Sequence, residues 1–405
     1  MRPYSPLVSL NSPRAIGRML LPLLVLSASA CGSEDTLAGP SEGGAELATT
    51  AALPRFVQIG IGGNHTCAVT GGGLIYCWGH NFFGQLGDGT TVDRLKPMPV
   101  QGGALRFRRV TAGSYHTCAE TIDRKAYCWG NNNWGQLGIG TSGAGRLTPV
   151  PVAGGRTFRL VEAGFQHTCA VTVADAYCWG DNRVGQLGDP GSTGFTRNAP
   201  VRVAGGLVFK AVDPGADHTC GLTTSSRVFC WGSNSLGQLG DGTTVYHLVP
   251  GPIAGNRLYK QVRAGSLHSC ALGADDKAYC WGNNISGSIG DGTTVRRFFP
   301  TAVSGGRRYQ ELSAGASQNC AIDLARHSWC WGNNAFGALG DGTTTNRLVP
   351  VATRGGLEFV GLKAGVHSCG LTAGGQVHCW GHNGFGEVGD GTRTNRLRPS
   401  LVGGS

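Results

Sequence analysis

The tripeptide Cys-Trp-Gly recurs seven times along the 405 residues, at Cys77, Cys128, Cys178, Cys230, Cys280, Cys330 and Cys379. Each copy follows a second cysteine, at Cys67, Cys118, Cys169, Cys220, Cys270, Cys320 and Cys369, and these are spaced by 51, 51, 51, 50, 50 and 49 residues. A fixed period near fifty, with turn signals inside each unit, means that one supersecondary module is repeated and that its copies stack or close into a ring. The modules are β-rich. With 69 glycines, 3 methionines and 14% charged residues, the composition favours many turns and short strands. Short alternating runs bounded by glycine recur, and helical periodicity is nearly absent beyond the N-terminus.

One unit reads FVQIGIGGNHTCAVTGGGLIYCWGHNFFGQLGDGTTVDRLKPMPVQGG. Strands are expected at 56–60, 66–70, 74–79 and 97–100. Four short strands are what a propeller blade needs, and seven such sheets packed face to face close into a ring with few exposed edges. A β-solenoid would have shorter, more uniform turns. The expected fold is all-β, a seven-bladed β-propeller of four-stranded antiparallel blades filling residues 55–405, with about 50 residues per repeat.

The cysteines fit this arrangement. Cys67 and Cys77 are symmetric about Gly72, so a turn of three to five residues sets them opposite each other across an antiparallel pair, close enough for a disulfide. In the third unit the spacing is nine instead of ten, which fits a two-residue turn at Val173-Ala174 and keeps Cys169 opposite Cys178. Each bridge is expected to stabilise by roughly 2 to 3 kcal/mol on the loop-entropy model, without full additivity. Metal binding would instead want Cys-x-x-Cys clusters with converging ligands, so seven structural disulfides are expected and no cofactor.

The stretches WGHNFFGQLGDGT, WGNNNWGQLGIGT, WGDNRVGQLGDPG, WGSNSLGQLGDGT and WGNNAFGALGDGT, with looser copies WGNNISGSIGDGT and WGHNGFGEVGDGT, resemble the repeat of the regulator of chromosome condensation family. That resemblance covers the chain beyond residue 54 and implies a seven-bladed propeller whose faces bind proteins. It also brings a guanine-nucleotide exchange activity, found in nuclear members, as an alternative. The Trp-Arg-His motif with which plant ultraviolet receptors of this family sense light is absent.

Residues 1–30 read as a signal peptide. Arg2, Arg14 and Arg18 lead into MLLPLLVLSA, an apolar run too short to span a bilayer. ASAC at 28–31 fits an Ala-x-Ala cleavage site, and it also resembles a bacterial lipobox in which alanine replaces the usual leucine. Fifteen cysteines are odd and the other fourteen pair by position, so Cys31 is left for lipidation, with plain secretion as the alternative. Residues 31–54 read as a flexible tether. Loss of the three arginines would lower the net charge from +10 to +7. The expected location is the cell envelope through a lipid anchor, with no other membrane contact, or the secreted space.

Several recurrent residues tempt a functional reading. His65, His116, His167, His218, His268 and His367 precede the first cysteines, with Gln318 in the sixth unit; equivalent positions in a ring lie too far apart to share a metal. They are expected to bond backbone near their blades. The tryptophans after Cys77 and its equivalents are expected to pack between blades. GQLGDGT lacks the lysine and helix of a phosphate loop, and its Asp-Gly is expected to turn the chain. Arg94, Arg146, Arg197, Arg297, Arg347 and Arg396, with His247, are expected to fork onto loop carbonyls or aspartates such as Asp88. No catalytic motif appears.

Function is therefore expected where the repeats disagree. The fifth position after each tryptophan carries Phe83, Trp134, Val184, Leu236, Ser286, Phe336 and Phe385, and aromatics on one face of a ring are what protein-binding surfaces use as anchors. Phe82 joins this set. Two irregular segments add Phe195, in the longer loop 188–200, and His327 with Trp329 in LARHSWC. The expected role is an exported binding module for an unidentified protein or cell-surface ligand, without nucleic acid. A secreted propeller enzyme would need an acid or histidine cluster that breaks the repeat.

Overall fold

The computed structural model describes residues 53–192 and 195–404; the leader, Cys31 and most of the tether lie outside them. The first blade is built from β1 (Phe56–Ile61), β2 (His65–Thr70), β3 (Ile75–Gly79) and β4 (Arg94–Pro99), paired in that order and antiparallel throughout. Six more sheets repeat this order, ending with the strand Arg396–Leu401, and the seventh blade packs against the first. Each blade takes all four strands from one repeat, so the ring closes by packing rather than by exchange of a strand. The fourth strand begins earlier than expected from sequence. Arg94 already pairs with Gly79, across an irregularity that leaves three residues of β4, 95–97, opposite Trp78 alone.

The cysteines occupy directly opposed positions on the two middle strands, and all seven pairs are bridged within their blades, with Cα atoms 4.1 Å apart. In six blades a three-residue loop joins these strands, its last residue at positive φ: Gly73, Arg124, Ser226, Asp276, Arg326 and Gly375. The third blade omits that residue. Its hairpin closes with Thr172 N donating to Asp175 O at 2.8 Å around Val173-Ala174, which preserves the Cys169–Cys178 register.

The tryptophans pack between blades. All seven are fully buried, and each indole donates to a backbone carbonyl of the preceding blade, as Trp129 Nε1 does to Gln85 O at 2.9 Å. Trp78 makes the same bond to Glu387 O across the closing seam, at 2.8 Å. Gly87 lies under the Trp129 ring with φ +71°, and a Cβ there would stand 2.6 Å from Nε1, which explains the last glycine of GQLG.

The histidines do not bond backbone. Each reaches a side chain of the next blade: His65 Nε2 lies 2.8 Å from Thr117 Oγ1, His116 from Thr168, His167 from Thr219, His218 from Ser269, and His367 closes the ring onto Thr66. Thr117 spends its own proton on Gln85 O at 2.7 Å, so His65 Nε2–H must be the donor. Burial is the main reason the imidazoles stay neutral, holding His65, His116, His167 and His218 at about 3 and His268 and His367 at about 4. His268 donates to Asn319 Oδ1 at 2.9 Å. The sixth-to-seventh seam lacks this link: Gln318 Oε1 accepts from Ser317 N, its Nε2 is unpartnered, and Ser368 donates to Ala338 O with Cys320 Sγ at 3.9 Å.

The glycine-rich loops after each Trp-Gly are tied by their own polar residues. Asn81 accepts from Leu86 N and donates to Thr90 O and Val92 O, at 2.9 to 3.1 Å. Asp88 receives Arg94 Nε at 2.7 Å and Thr90 Oγ1 at 2.8 Å. Burial alone would raise the Asp88 carboxyl, but bonds from Thr90 and Arg94 outweigh it and leave it below the usual carboxylate range. The same fork joins Arg297 to Asp291, Arg347 to Asp341 and Arg396 to Asp390. Arg197 and His247 pair likewise with Asp189 and Asp241. Arg146, whose blade has Ile139 in place of the aspartate, turns to Ala144 O and Gly145 O.

Candidate functional site

The antiparallel order gives every blade two distinct ends. The loops after the first and third strands emerge together, as His80 N bonding Asn64 O at 2.9 Å shows. This is the long-loop face. The tight hairpins and the connections into the next blade emerge at the opposite end, where Phe107 N bonds Gly73 O at 2.8 Å.

The repeated histidines, tryptophans, arginines and aspartates are occupied by seams and loops, and the axis of the ring and the long-loop face stand open to a ligand. The axial channel, about 220 Å³, is lined by the innermost strands. Its charges largely answer one another: Arg109 meets Glu162 at 2.9 Å and Arg263 meets Asp213 at 3.3 Å. Burial, opposed chiefly by Arg263, pushes the Asp213 carboxyl up to about 6. Lys363 has no ion pair within 4 Å among the described residues, although Glu162 and Glu311 act on it from a distance.

The other place is the long-loop face, which carries a continuous arc of rings. Phe336 of the sixth blade meets His382 of the seventh at 4.9 Å between ring centroids, and His382 lies 6.2 Å from Phe385. Phe385 meets His80 of the first blade at 4.5 Å, and His80 lies 6.4 Å from Phe82. Phe82 touches Phe83 at 4.9 Å, and Phe83 touches Tyr115 of the second blade at 5.2 Å. Tyr115 reaches Phe165 of the third blade at 6.5 Å. Contacts of this geometry hold the rings in place without burying them. Phe82 stays 68% exposed, Phe336 44% and Phe165 42%.

Beneath the arc, His382 Nδ1 and Glu387 Oε1 are 2.7 Å apart, with the Glu387 side chain fully buried. The bond that His382 Nδ1 donates to Glu387 is the main cause that raises the imidazole above its ordinary value. His80, where burial dominates, is shifted down.

The arc skips the fourth and fifth blades. There Ser233 and Asn283 replace the histidine position, and Leu236 and Ser286 the position of Phe83. The structure thus joins Phe82, Phe83, Phe336 and Phe385 of the residues singled out in the sequence, and adds His80, Tyr115, Phe165 and His382. Trp134 shares the face but lies under the Arg183 guanidinium at 4.2 Å. Phe195 is 72% exposed with no ring contact among the described residues, and Leu236 falls in the gap. His327 and Trp329 stand apart from the set, at the hairpin end. Trp329 Nε1 donates to Asp323 at 2.9 Å under the Arg307 guanidinium, and His327 bridges to Glu358.

Sequence carried one signal for the missing histidines. Only HNFFG and HNGFG, in adjacent blades around the closing seam, place histidine directly after Trp-Gly. Tyr115 and Phe165 belong to a different loop and join the arc only once both loops are placed at one end.

A family model described as the regulator of chromosome condensation (RCC1) repeat matches residues 72–119, 125–171, 175–222, 225–272 and 275–322. A second model of the same description matches 56–85, 107–136, 209–238, 259–288 and 366–387. The ultraviolet-B receptor UVR8 of Arabidopsis thaliana is 32% identical over 200 residues, 48% of this chain and 45% of the receptor. The human E3 ubiquitin-protein ligase HERC2 is 33% identical over 199 residues, 47% of this chain and 4% of HERC2. The matched part therefore spans less than half of either relative. Among solved structures, Prp20p from Saccharomyces cerevisiae superposes with a TM-score of 0.74 at 21% identity, covering 82% of this chain and 87% of that one. Human WBSCR16 gives 0.70 at 20% identity over 77% and 85%. Both likenesses show the fold.

Proposed function

Because this chain belongs to the regulator of chromosome condensation repeat family, we propose that it is a binding module whose long-loop face takes a protein partner on the aromatic arc. The observation that carries this reading is the unbroken run of partly exposed rings from Phe336 to Phe165. Rings already fixed by neighbours lose little freedom on binding, and clustered aromatics are typical energetic anchors of protein interfaces. Prp20p has binding properties toward Gsp1p and histones, which supports protein binding as a use of this fold. We read the chain as a binder rather than a catalyst, because its recurrent polar groups are committed to seams and loops.

Seven disulfides point to an oxidising, extracellular compartment. We place the chain there as an exported protein held by a lipid on Cys31. No helix among the described residues is long and apolar enough to cross a membrane. An exchange factor acting on an intracellular GTPase fits this compartment poorly.

The test is a pull-down from envelope extracts comparing the parent chain with Phe82→Ser/Phe336→Ser. A partner retained by the parent and lost by the variant supports the arc; equal retention contradicts it. Metabolic labelling with a fatty acid should mark the parent chain and not Cys31→Ala, and an unlabelled parent would leave plain secretion.

A further inference from the structure

The hairpin end has a different chemistry, and it carries an inference independent of the arc. The segments leading into each first strand, taken to equivalent positions of the repeat, are 55–57, 100–108, 152–159, 203–210, 253–260, 303–310 and 353–360. They hold eleven basic side chains and one acidic one, Glu358. The loops of the opposite face hold ten acids and three bases, and Arg94, Arg197, Arg297, Arg347 and Arg396, which open the strands that follow, raise the bases to eight, each of these five paired with a loop aspartate. Three of the eleven cations are ion-paired, Arg108 with Glu120, Arg257 with Asp275 and Lys260 with Asp276; the other eight make no ion pair among the described residues. The hairpins between the middle strands add five bases and four acids.

Exposed aliphatic side chains stand among these cations. Val57, Ile122, Val173, Leu258, Leu324 and Val360 are 58%, 69%, 74%, 46%, 57% and 45% exposed. Between the first two blades, Arg106 and Arg108 line a groove of about 410 Å³ with Val57 and Ile122 at the same site. The chain also enters the propeller at this end: Phe56 N bonds Gly375 O, at the hairpin of the seventh blade, at 2.9 Å.

We infer that the hairpin end docks on the anionic surface of a lipid bilayer. Unpaired cations gain free energy near acidic headgroups, and aliphatic tips between them enter the interfacial layer. A soluble polyanion would use the cations and leave the aliphatic tips without a role. Docking in this way turns the aromatic arc away from the membrane, toward a partner in the surrounding space.

The experiment is vesicle flotation of the full chain carrying Cys31→Ala, so that no lipid on Cys31 contributes. Vesicles of phosphatidylcholine alone are compared with vesicles containing phosphatidylglycerol. The expected result is flotation with the anionic vesicles only, weakened by salt. Arg159→Gln/Arg308→Gln removes two exposed cations whose side chains make no hydrogen bond or ion pair among the described residues, and should cut partitioning by about 25-fold, roughly fivefold per charge. Ile122→Asn/Val173→Asn should remove the part that resists salt, and Arg296→Gln on the opposite face should change nothing. Residues 1–30 are common to all these chains and cannot produce the differences between variants, which therefore decide the inference. Equal flotation with both vesicle types, or an unchanged Arg159→Gln/Arg308→Gln variant, overturns the inference. So does retention on immobilised heparin without flotation, which would assign the face to a soluble polyanion. None of these outcomes bears on the arc, which its own variants test.

Discussion

The inter-blade seams and the aromatic arc are built from neighbouring residues of the same repeats, yet they behave oppositely. In the seams the repeats agree, Gln318 apart, and the agreed side chains bond from blade to blade: Trp129 and Thr117 both end on Gln85 O, and Thr117 is held by His65. In the arc the repeats disagree, and the rings that differ are left at the surface. The comparison teaches where to look in a repeat protein. A residue present in all blades holds blades together, while a function confined to one region needs residues that some blades lack.

The largest way to break this comparison is at a seam. Trp78→Ala removes a fully buried indole from the closing seam and leaves Glu387 O with Thr66 Oγ1 as its remaining donor, so denaturant unfolding should show a loss of about 3 to 5 kcal/mol. A loss below about 1 kcal/mol would mean that the tryptophans do not hold the ring. At the arc the expectation reverses. Phe82→Ser/Phe336→Ser should weaken the partner by about 2 kcal/mol, near 30-fold, in a titration with the isolated partner, while stability stays within about 0.5 kcal/mol.

Acid sharpens the seam side. A histidine held near 3 in the fold and near 6.5 when unfolded contributes stability that is complete above about pH 6.5 and is lost as pH falls toward its folded value. His116→Gln should therefore flatten the dependence of unfolding free energy on pH by about 1.4 kcal/mol per pH unit between pH 6 and 4. An unchanged slope would show that His116 is not buried neutral. The arc histidine has the opposite sign. His382 is raised by Glu387, so its contribution is complete below its unfolded value and is lost as pH rises through its folded one. The smallest effect is at the odd seam. Gln318→His should let a ring nitrogen donate to Ser368 Oγ, as its equivalents do, and gain about 1 kcal/mol at neutral pH in thermal unfolding.

How much of this was legible in sequence follows from what each feature requires. The blade count, the paired cysteines and the short turn at Val173-Ala174 need only spacing within a repeat. The fork from Arg94 to Asp88 also spans six residues and could be anticipated. The histidine partners could not, because His65 and Thr117 are 52 residues apart and meet only across a seam. The arc was half legible. Phe83, Phe336 and Phe385 share one repeat position, whereas Tyr115 and Phe165 come from another loop. His327 and Trp329 were drawn into the candidate set by irregularity alone, and irregularity does not say which end of a blade a residue occupies.

The most direct test is photocrosslinking with a benzoylphenylalanine placed at position 82, in the arc, or at position 235, the equivalent loop residue of the fourth blade. Both positions are exposed and share one face. The account predicts a crosslinked partner from position 82 and none from 235. Equal crosslinking from both, or crosslinking from 235 alone, would contradict it.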